Sequence, residues 1–178
     1  FTSAGNPKKW TPVFKEHGIT VVHVVAGSKF AIKAQEAGAD AIVAEGFEAG
    51  GHNGIDETTT LVLLPLIRKK VDLPLIAAGG IGTGRQMLAA FALGAEGVQL
   101  GSRFVASEES SAHPVFKQKV IEAKEGDTSL TLKQVVPVRL IKNRFFSEID
   151  QMQQRGASIE ELKEHLGRGR AKLGMFEG

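Results

Sequence analysis

The chain contains 178 residues, of which 42% are hydrophobic and 24% are charged, and its formal net charge at pH 7 is +2. These values are typical of a globular protein of one domain, or of one domain with an extension. Because positive charge is not concentrated in any segment, and no apolar run approaches the ~18 residues of a membrane span, we expect neither a nucleic-acid nor a membrane partner. The lack of cysteine excludes disulfides and thiolate metal ligands, and we expect a cytoplasmic location.

The chain opens with "FTSAG", which we interpret as the end of a strand, and we therefore expect it to be part of a longer protein. Apolar segments that end in glycine then follow at intervals: "HGITVVHVVAG" from His17, "AGADAIVAEG" from Ala37, "VDLPLIAAGG" from Val71 and "LGAEGVQLGS" from Leu93. Such uninterrupted apolar runs are typical of parallel strands that are covered on both faces. Gly18, Gly38 and Gly94 are suited to ending the helix that precedes a strand.

Amphipathic segments precede these strands and predict helices: "PKKWTPVFKEH", "SKFAIKAQEA", "TTTLVLLPLIRKK" and "GRQMLAAFAL". Pro65 lies inside the third segment and predicts a kink or a late start for that helix. Alternating strands and helices indicate an α/β fold with a parallel sheet. Four strands and a stub amount to about half of a (β/α)8 barrel, and a doubly wound open sheet is the alternative.

The pattern changes after Arg103. "HPVFKQKVIEAKEG" predicts a helix, and "TLKQVVPVRLIKNRFFSEIDQMQQRG" is interpreted as helical in pieces. Ser158 and Glu161 have the spacing of a capping box, and the helix that they begin should end near Gly167 or Gly169. We therefore divide the chain into an αβ part over residues 1–105 and a C-terminal helical extension over residues 106–178.

Glycines cluster where the strands are predicted to end, which is the edge at which such folds bind ligands. Gly79 and Gly80 precede a short loop and a helix, and Gly101 is followed by Ser102. Exposed backbone amides at these positions would donate to phosphate oxygens, whereas side chains there would block access. We therefore predict a phosphate site, although the same glycines could merely form tight turns.

His52 follows a glycine pair at a predicted strand end, where a histidine could transfer a proton. The other histidines have structural interpretations: His17 precedes a helix-ending glycine, and His23 lies inside a strand. His113 and His165 lie in tail helices as surface or capping residues. Glu45 and Glu48 could supply oxygen ligands near His52, but no second histidine has ligand spacing, and we predict no metal site.

Three segments resemble the nitronate monooxygenase family, also called 2-nitropropane dioxygenases: "AEGFEAGGHNG", "PLIAAGGIGTGRQMLAAFALGAEGVQLGSRF" and "ESSAHPVFKQKV". The related flavin-dependent enoyl-acyl-carrier-protein reductases share this superfamily. The resemblance implies an FMN-binding TIM barrel, whose second half lies at residues 1–105 and whose first half precedes this sequence. It implies that His52 is catalytic and that the FMN-binding residues are Glu45, Gly50, Ala78, Gly79, Gly80, Leu100, Gly101 and Ser102.

The resemblance implies an FMN-dependent oxidoreductase that acts on a small-molecule substrate. The favoured activity is the oxidation of alkyl nitronates with O2. The alternative activity is that of an NAD(P)H-dependent enoyl reductase, with acyl carrier protein as its partner. A second copy of the chain in a homodimer is a further possible partner. Val24 stands where some nitronate monooxygenases have lysine, and Glu45 stands where another polar residue is often found. Both departures favour the reductase branch of the superfamily. A non-redox phosphate-binding barrel or a flavin-less binding module is the third possibility.

Overall fold

The computed structural model describes residues 1–3 and 5–167, which form two compact units. The first unit comprises the described residues within Phe1–Ala49 and Asp56–Leu100, and the second comprises Gly50–Ile55 and the described residues from Gly101 to Gly167. The described strands are, in chain order, β1 Thr2–Ser3, β2 Val22–Val25, β3 Ala41–Glu45, β4 Gly51–His52, β5 Leu75–Ala78, β6 Gly97–Gln99, β7 Thr128–Thr131 and β8 Val138–Ile141. The described helices are α1 Pro7–Glu16, α2 Ser28–Glu36, α3 Thr60–Arg68, α4 Gly84–Ala92, α5 Ser102–Val105, α6 Pro114–Glu122, α7 Arg144–Gln154 and α8 Ile159–Leu166.

The first unit is built on a five-stranded parallel sheet with the order β1-β2-β3-β5-β6. In β3, Ile42 and Ala44 pack into the core shared with the helices, and Val43, between them, is equally buried. This strand is therefore covered on both faces, which explains its uninterrupted apolar sequence. The predicted parallel sheet and all its strands, including the N-terminal stub, are confirmed.

The helices of the first unit follow their predicted segments. Gly18, Gly38 and Gly94 adopt positive φ angles of 69°, 88° and 96° just after helices, which confirms their predicted role as helix stops. Helix α3 begins at Thr60 and continues past Pro65 to Arg68. It buries its apolar face, including Leu64 and Ile67, in the core.

The second unit contains a three-stranded antiparallel sheet with the order β4-β8-β7. One face of this sheet packs with α7 and α8 around an apolar core, which consists of Leu132, Val138, Leu140, Phe145, Ile149 and Leu162. The prediction of a C-terminal helical extension is therefore wrong for two segments, which are the strands Thr128–Thr131 and Val138–Ile141. These strands are stabilised by pairing with each other and with Gly51–His52, which lies far away in the sequence.

The C-terminal helix confirms the local signals that predicted it. The Ser158 hydroxyl accepts the Glu161 amide proton at 3.1 Å, and the Glu161 carboxylate accepts that of Ser158 at 2.8 Å. Helix α8 ends at Leu166 with Gly167 as its C-cap, whereas Gly169 lies outside the described residues. Among the described residues, no helix has the length and apolar character needed to cross a membrane.

Candidate functional site

The carboxyl ends of three neighbouring strands in the first unit bring several predicted site residues together. Glu45 of β3 pairs with Ala78 of β5, and Ala78 pairs with Gln99 of β6. Leu100 follows Gln99 directly, and Gly79 and Gly80 follow Ala78. Because the strands are parallel, these residues lie along one edge of the sheet, where α/β folds bind their ligands.

Glu45 ends its strand in a partly buried position. Burial raises the pKa of the Glu45 carboxyl above its ordinary value, because water solvates the charged form better than the protein does. The neutral form of this group can donate a hydrogen bond as well as accept one. A carboxyl at this strand edge can therefore serve a ligand either as an acceptor or as a donor.

A hydrogen-bonded cluster beside this edge was missed by the sequence analysis. The Thr60 amide donates to Glu48 Oε2 at 3.0 Å, so the Glu48 carboxylate lies at the N-terminus of α3, where the helix dipole favours an anion. The Thr60 hydroxyl lies 2.9 Å from the Gly79 carbonyl oxygen and 3.0 Å from Glu48 Oε2, and its single proton can satisfy one of them at a time. The cluster thereby connects the loops after β3 and β5.

Contacts within the protein explain in part why the loop after β5 has glycine at positions 79 and 80. A Cβ atom on Gly79 would lie 2.7 Å from the Gly46 carbonyl oxygen, and one on Gly80 would lie 3.1 Å from Glu48 Cβ. Both glycines also have positive φ angles, of 96° and 69°. The fold itself therefore requires these positions to lack a side chain, as the alternative of tight turns expected, and the phosphate site at the same glycines stays a prediction.

The same loop nevertheless offers unused backbone donors. The Gly82 amide donates to Gln86 Oε1 at 2.9 Å, and Gln86 Nε2 donates to the Gly80 carbonyl oxygen at 2.8 Å. These bonds hold the loop against the first turn of α4. Within the described part of the chain, the amides of Gly80 and Ile81 donate to no protein acceptor. Such amides, close to the start of a helix, are suited to binding an anion.

The remaining predicted residues lie in the second unit. His52 is exposed on β4, opposite Val138 of β8. A Cβ atom on Gly50 or on Gly101 would meet nothing within 4 Å, so the backbone is open at both positions. Gly101 is the N-cap of α5, and Ser102 is the exposed first residue of that helix. The assignment of these four residues and of Glu45, Ala78, Gly79, Gly80 and Leu100 to one site stays a prediction.

Two other histidines have the structural roles predicted for them. His23 is buried in β2, where its Nδ1 lies 2.8 Å from the Thr2 hydroxyl, and burial lowers the pKa of its imidazole. His113 is the N-cap of α6, and its Nδ1 accepts the Val115 amide proton at 3.2 Å. Over residues 1–3 and 5–167, no cluster of three or more histidine, aspartate or glutamate side chains could hold a metal ion.

Comparison with known proteins identifies the family. The family model described as nitronate monooxygenase matches residues 1–177. A probable nitronate monooxygenase of Staphylococcus aureus (strain JH9) is 41% identical over 146 residues, which are 77% of this chain and 41% of the relative. The chain thus spans about two-fifths of the length of this curated relative.

Solved structures agree with this assignment. FabK from Thermotoga maritima is 45% identical, with a TM-score of 0.87 over 99% of this chain and 55% of that chain. A nitroalkane oxidase from Streptomyces ansochromogenes is 31% identical, with a TM-score of 0.75 over 100% of this chain and 54% of that chain. The matches confirm the predicted α/β fold. The chain is a roughly half-length version of the TIM-barrel enzymes that it matches. The chain belongs to the nitronate monooxygenase family.

Proposed function

We propose that the protein containing this chain is an FMN-dependent nitronate monooxygenase, which oxidises alkyl nitronates with O2. Membership of a family of oxidoreductases supports the reaction class. The observation that carries the cofactor assignment is the pair of unused amides at Gly80 and Ile81, close to the strand edge that holds Glu45 and Ala78. These residues fit the needs of a bound flavin nucleotide, since bare amides suit its phosphate.

Each predicted residue has a chemical role in this proposal. The amides of Gly80 and Ile81 would donate to the phosphate, and the resemblance assigns Gly101 and Ser102 to FMN as well, where they would supply an open backbone and a hydroxyl. Ala78 offers a small side chain, and Glu45 a carboxyl that can accept or donate a hydrogen bond. Bound FMN would supply the electron-transfer chemistry that amino-acid side chains lack, while the protein supplies position and electrostatics.

His52 is proposed to handle the anionic substrate. An imidazole N–H can donate a hydrogen bond to a nitronate oxygen, and the other ring nitrogen can accept a proton from a neutral nitroalkane. His52 suits this role because its side chain is exposed on β4. The preceding Gly51 has a φ angle of 82°, a backbone conformation that a residue with a side chain would adopt less readily.

The proposed reaction makes a measurable product. Transfer of one oxygen atom to the nitronate carbon and cleavage of its C–N bond give a carbonyl compound and nitrite, so that two nitronates consume one O2. We expect the purified full-length protein to carry flavin absorbance and to release nitrite from alkyl nitronates in air. A flavin-loaded protein that consumes no oxygen and releases no nitrite with these substrates would remove the monooxygenase assignment.

An NAD(P)H-dependent enoyl-acyl-carrier-protein reductase is the second candidate. It is favoured by Val24, which lies in β2 where some nitronate monooxygenases have lysine, and the tail offers basic residues for an acidic carrier protein: Lys133, Arg139, Lys142 and Arg144. Anaerobic mixing with NAD(P)H separates the candidates, because a reductase should bleach its flavin rapidly and a nitronate monooxygenase should not. Purification without any flavin would instead favour a non-redox binding module.

A further inference from the structure

The side chain of Gln86 contacts more of the backbone than a helix cap requires. Thr83 is the N-cap of α4, and its hydroxyl accepts the Gln86 amide proton at 3.3 Å, with the spacing of a capping box. In such a box the glutamine would accept the N-cap amide proton in return. Gln86 reaches further back, because its Oε1 accepts the Gly82 amide proton at 2.9 Å and its Nε2 donates to the Gly80 carbonyl oxygen at 2.8 Å.

The bond to the Gly80 carbonyl also sets the direction of the Ile81 amide. This carbonyl and the Ile81 N–H belong to one planar trans peptide, in which they point in opposite directions. Because Gln86 Nε2 binds the carbonyl oxygen, the Ile81 N–H points away from the Gln86 side chain. Gln86 thus orients an amide that donates to no acceptor among residues 1–3 and 5–167.

The loop backbone does not fix this direction by itself. Gly80 has a φ angle of 69°, and glycine adopts many backbone conformations with little steric penalty. The peptide between Gly80 and Ile81 can therefore rotate unless another group holds it. Gln86 supplies this hold from the first turn of α4, a helix that is anchored in the core of its unit by Ala90.

Helix capping alone does not explain the choice of glutamine. A glutamate at position 86 would keep the acceptor for the Gly82 amide but would lack the donor for the Gly80 carbonyl. Gln86 is also exposed, so its hydrogen bonds compete with water and add little to the stability of the fold. The effect of the donor bond should therefore appear mainly in ligand binding.

We propose that Gln86 is a positioning residue for the FMN phosphate, because it holds the Ile81 amide free and oriented before the cofactor binds. This inference rests on the proposed function, since it takes the Gly80 and Ile81 amides as the phosphate donors. Donors that are already oriented bind more tightly, because their ordering costs nothing further at the moment of binding. The role needs no contact between Gln86 and the cofactor.

Riboflavin separates this role from a general effect on the fold, because it differs from FMN only in lacking the phosphate. Full-length apoprotein is titrated with each flavin, and binding is measured by the change in flavin fluorescence. We expect Gln86→Met to weaken FMN binding about tenfold, the lower end of the effect of losing a hydrogen bond to a charged group. The lower end applies because a bound phosphate still attracts the released amide. Riboflavin binding should not change.

Gln35→Met is the matched control. Gln35 Oε1 accepts the Asp72 amide proton at 3.0 Å, so this substitution breaks a similar bond between a side chain and the backbone. Asp72 precedes β5, at the opposite edge of the sheet from Gly80. We expect Gln35→Met to bind both flavins as the wild type does. If Gln86→Met does not fold, Gln86→Ala removes the same bonds with the strongest helix-forming residue.

Three binding results would overturn the inference. Unchanged FMN affinity in Gln86→Met would show that the Ile81 amide needs no support from this side chain. Equal weakening of FMN and riboflavin binding would give Gln86 a structural role only. Wild-type protein that binds FMN no more tightly than riboflavin would show that the loop does not bind the phosphate.

Nitrite release from alkyl nitronates in air, measured on the wild-type protein, separates this inference from the proposed activity. A loss of affinity in Gln86→Met that is confined to FMN, without nitrite release by the wild type, would support the positioning role and remove the monooxygenase activity. Nitrite release by the wild type, with equal FMN affinity in Gln86→Met, would support the activity and overturn the positioning role.

Discussion

Replacement of Gly46 by alanine tests the hydrogen-bonded cluster that supports the predicted phosphate loop. The Cβ atom of this alanine would lie 2.1 Å from Thr60 Oγ1, 2.4 Å from the Thr60 backbone nitrogen and 2.5 Å from Glu48 Oε2. The Thr60 nitrogen belongs to the first turn of α3, so relief of the clash requires a movement of backbone as well as of side chains. The new methyl group thus occupies the space of the Thr60–Glu48 hydrogen bonds.

The cost follows from two effects. Overpacking a tight site destabilises by about 1–3 kcal/mol, and loss of a hydrogen bond to a charged group adds about 1.5–3 kcal/mol. We therefore expect Gly46→Ala to lower the free energy of unfolding by roughly 2.5–6 kcal/mol, measured by urea denaturation of the full-length protein. It should also weaken FMN retention, because the cluster contacts Gly79.

Gly50→Ala is the matched control. It adds the same methyl group four residues later, where the Cβ atom meets nothing within 4 Å. We expect its free energy of unfolding to stay within about 0.5 kcal/mol of wild type, as for ordinary surface substitutions. If Gly46→Ala were as stable as Gly50→Ala, the close approach of Gly46 to Thr60 and Glu48 would be refuted.

Three further substitutions test charges and the open backbone. Glu45→Gln should stabilise the protein at neutral pH, because the raised pKa of Glu45 shows that folding disfavours its ionised form. This gain in the free energy of unfolding should vanish below about pH 4, where the carboxyl is protonated in both states. A gain that does not change with pH would exclude ionisation as its cause. Asp40→Asn should destabilise the protein above about pH 4, because hydrogen bonds from Lys15 and Val21 lower the pKa of Asp40 and so stabilise its ionised form. The effect should diminish in acid, as the carboxylate becomes protonated. Denaturation curves of the variant and the wild type that differ equally at pH 3 and pH 7 would contradict this. Gly101→Val should weaken FMN binding with little change in melting temperature, because its Cβ lies in open space, and undiminished flavin retention would show that the phosphate binds elsewhere.

Much of the first unit was predictable because its signals are local. Buried parallel strands have continuous apolar sequences, as in "AIVAE" of β3, and glycines such as Gly38 end the helices before them. The capping box at Ser158 also depends on residues only three apart. In each case the physical cause lies within one short segment, so the sequence alone predicts the element.

The features that were missed depend on contacts between distant segments. Strand β8 contains "VRLI", which could equally belong to a helix, and it becomes a strand because β4 and β7 pair with it on either side. Likewise, the contact between Glu48 and Thr60 crosses twelve positions of the sequence and forms only when the loop after β3 folds over the start of α3. No local pattern reveals such pairings.

The same reason limits the prediction of the site. Gly79 and Gly80 were correctly located at a strand end, but the contacts that require their lack of a side chain involve Gly46 and Glu48. The resemblance to a family identified His52 as a candidate, whereas its apolar neighbour Val138 is placed opposite it by the register of β4 against β8. Residue types that suit a ligand can thus be found in the sequence, but their neighbours require the structure.

The catalytic role of His52 is tested most directly by measuring nitrite release per bound FMN in the full-length His52→Asn variant. Asparagine keeps a hydrogen-bonding side chain but cannot exchange a proton near neutral pH, so FMN occupancy and melting temperature should stay close to wild type. Turnover per bound flavin should fall by roughly 10²–10⁴-fold, the usual effect of losing an acid–base group. Turnover per flavin that matches wild type would contradict the proposed mechanism and leave His52 with a structural role.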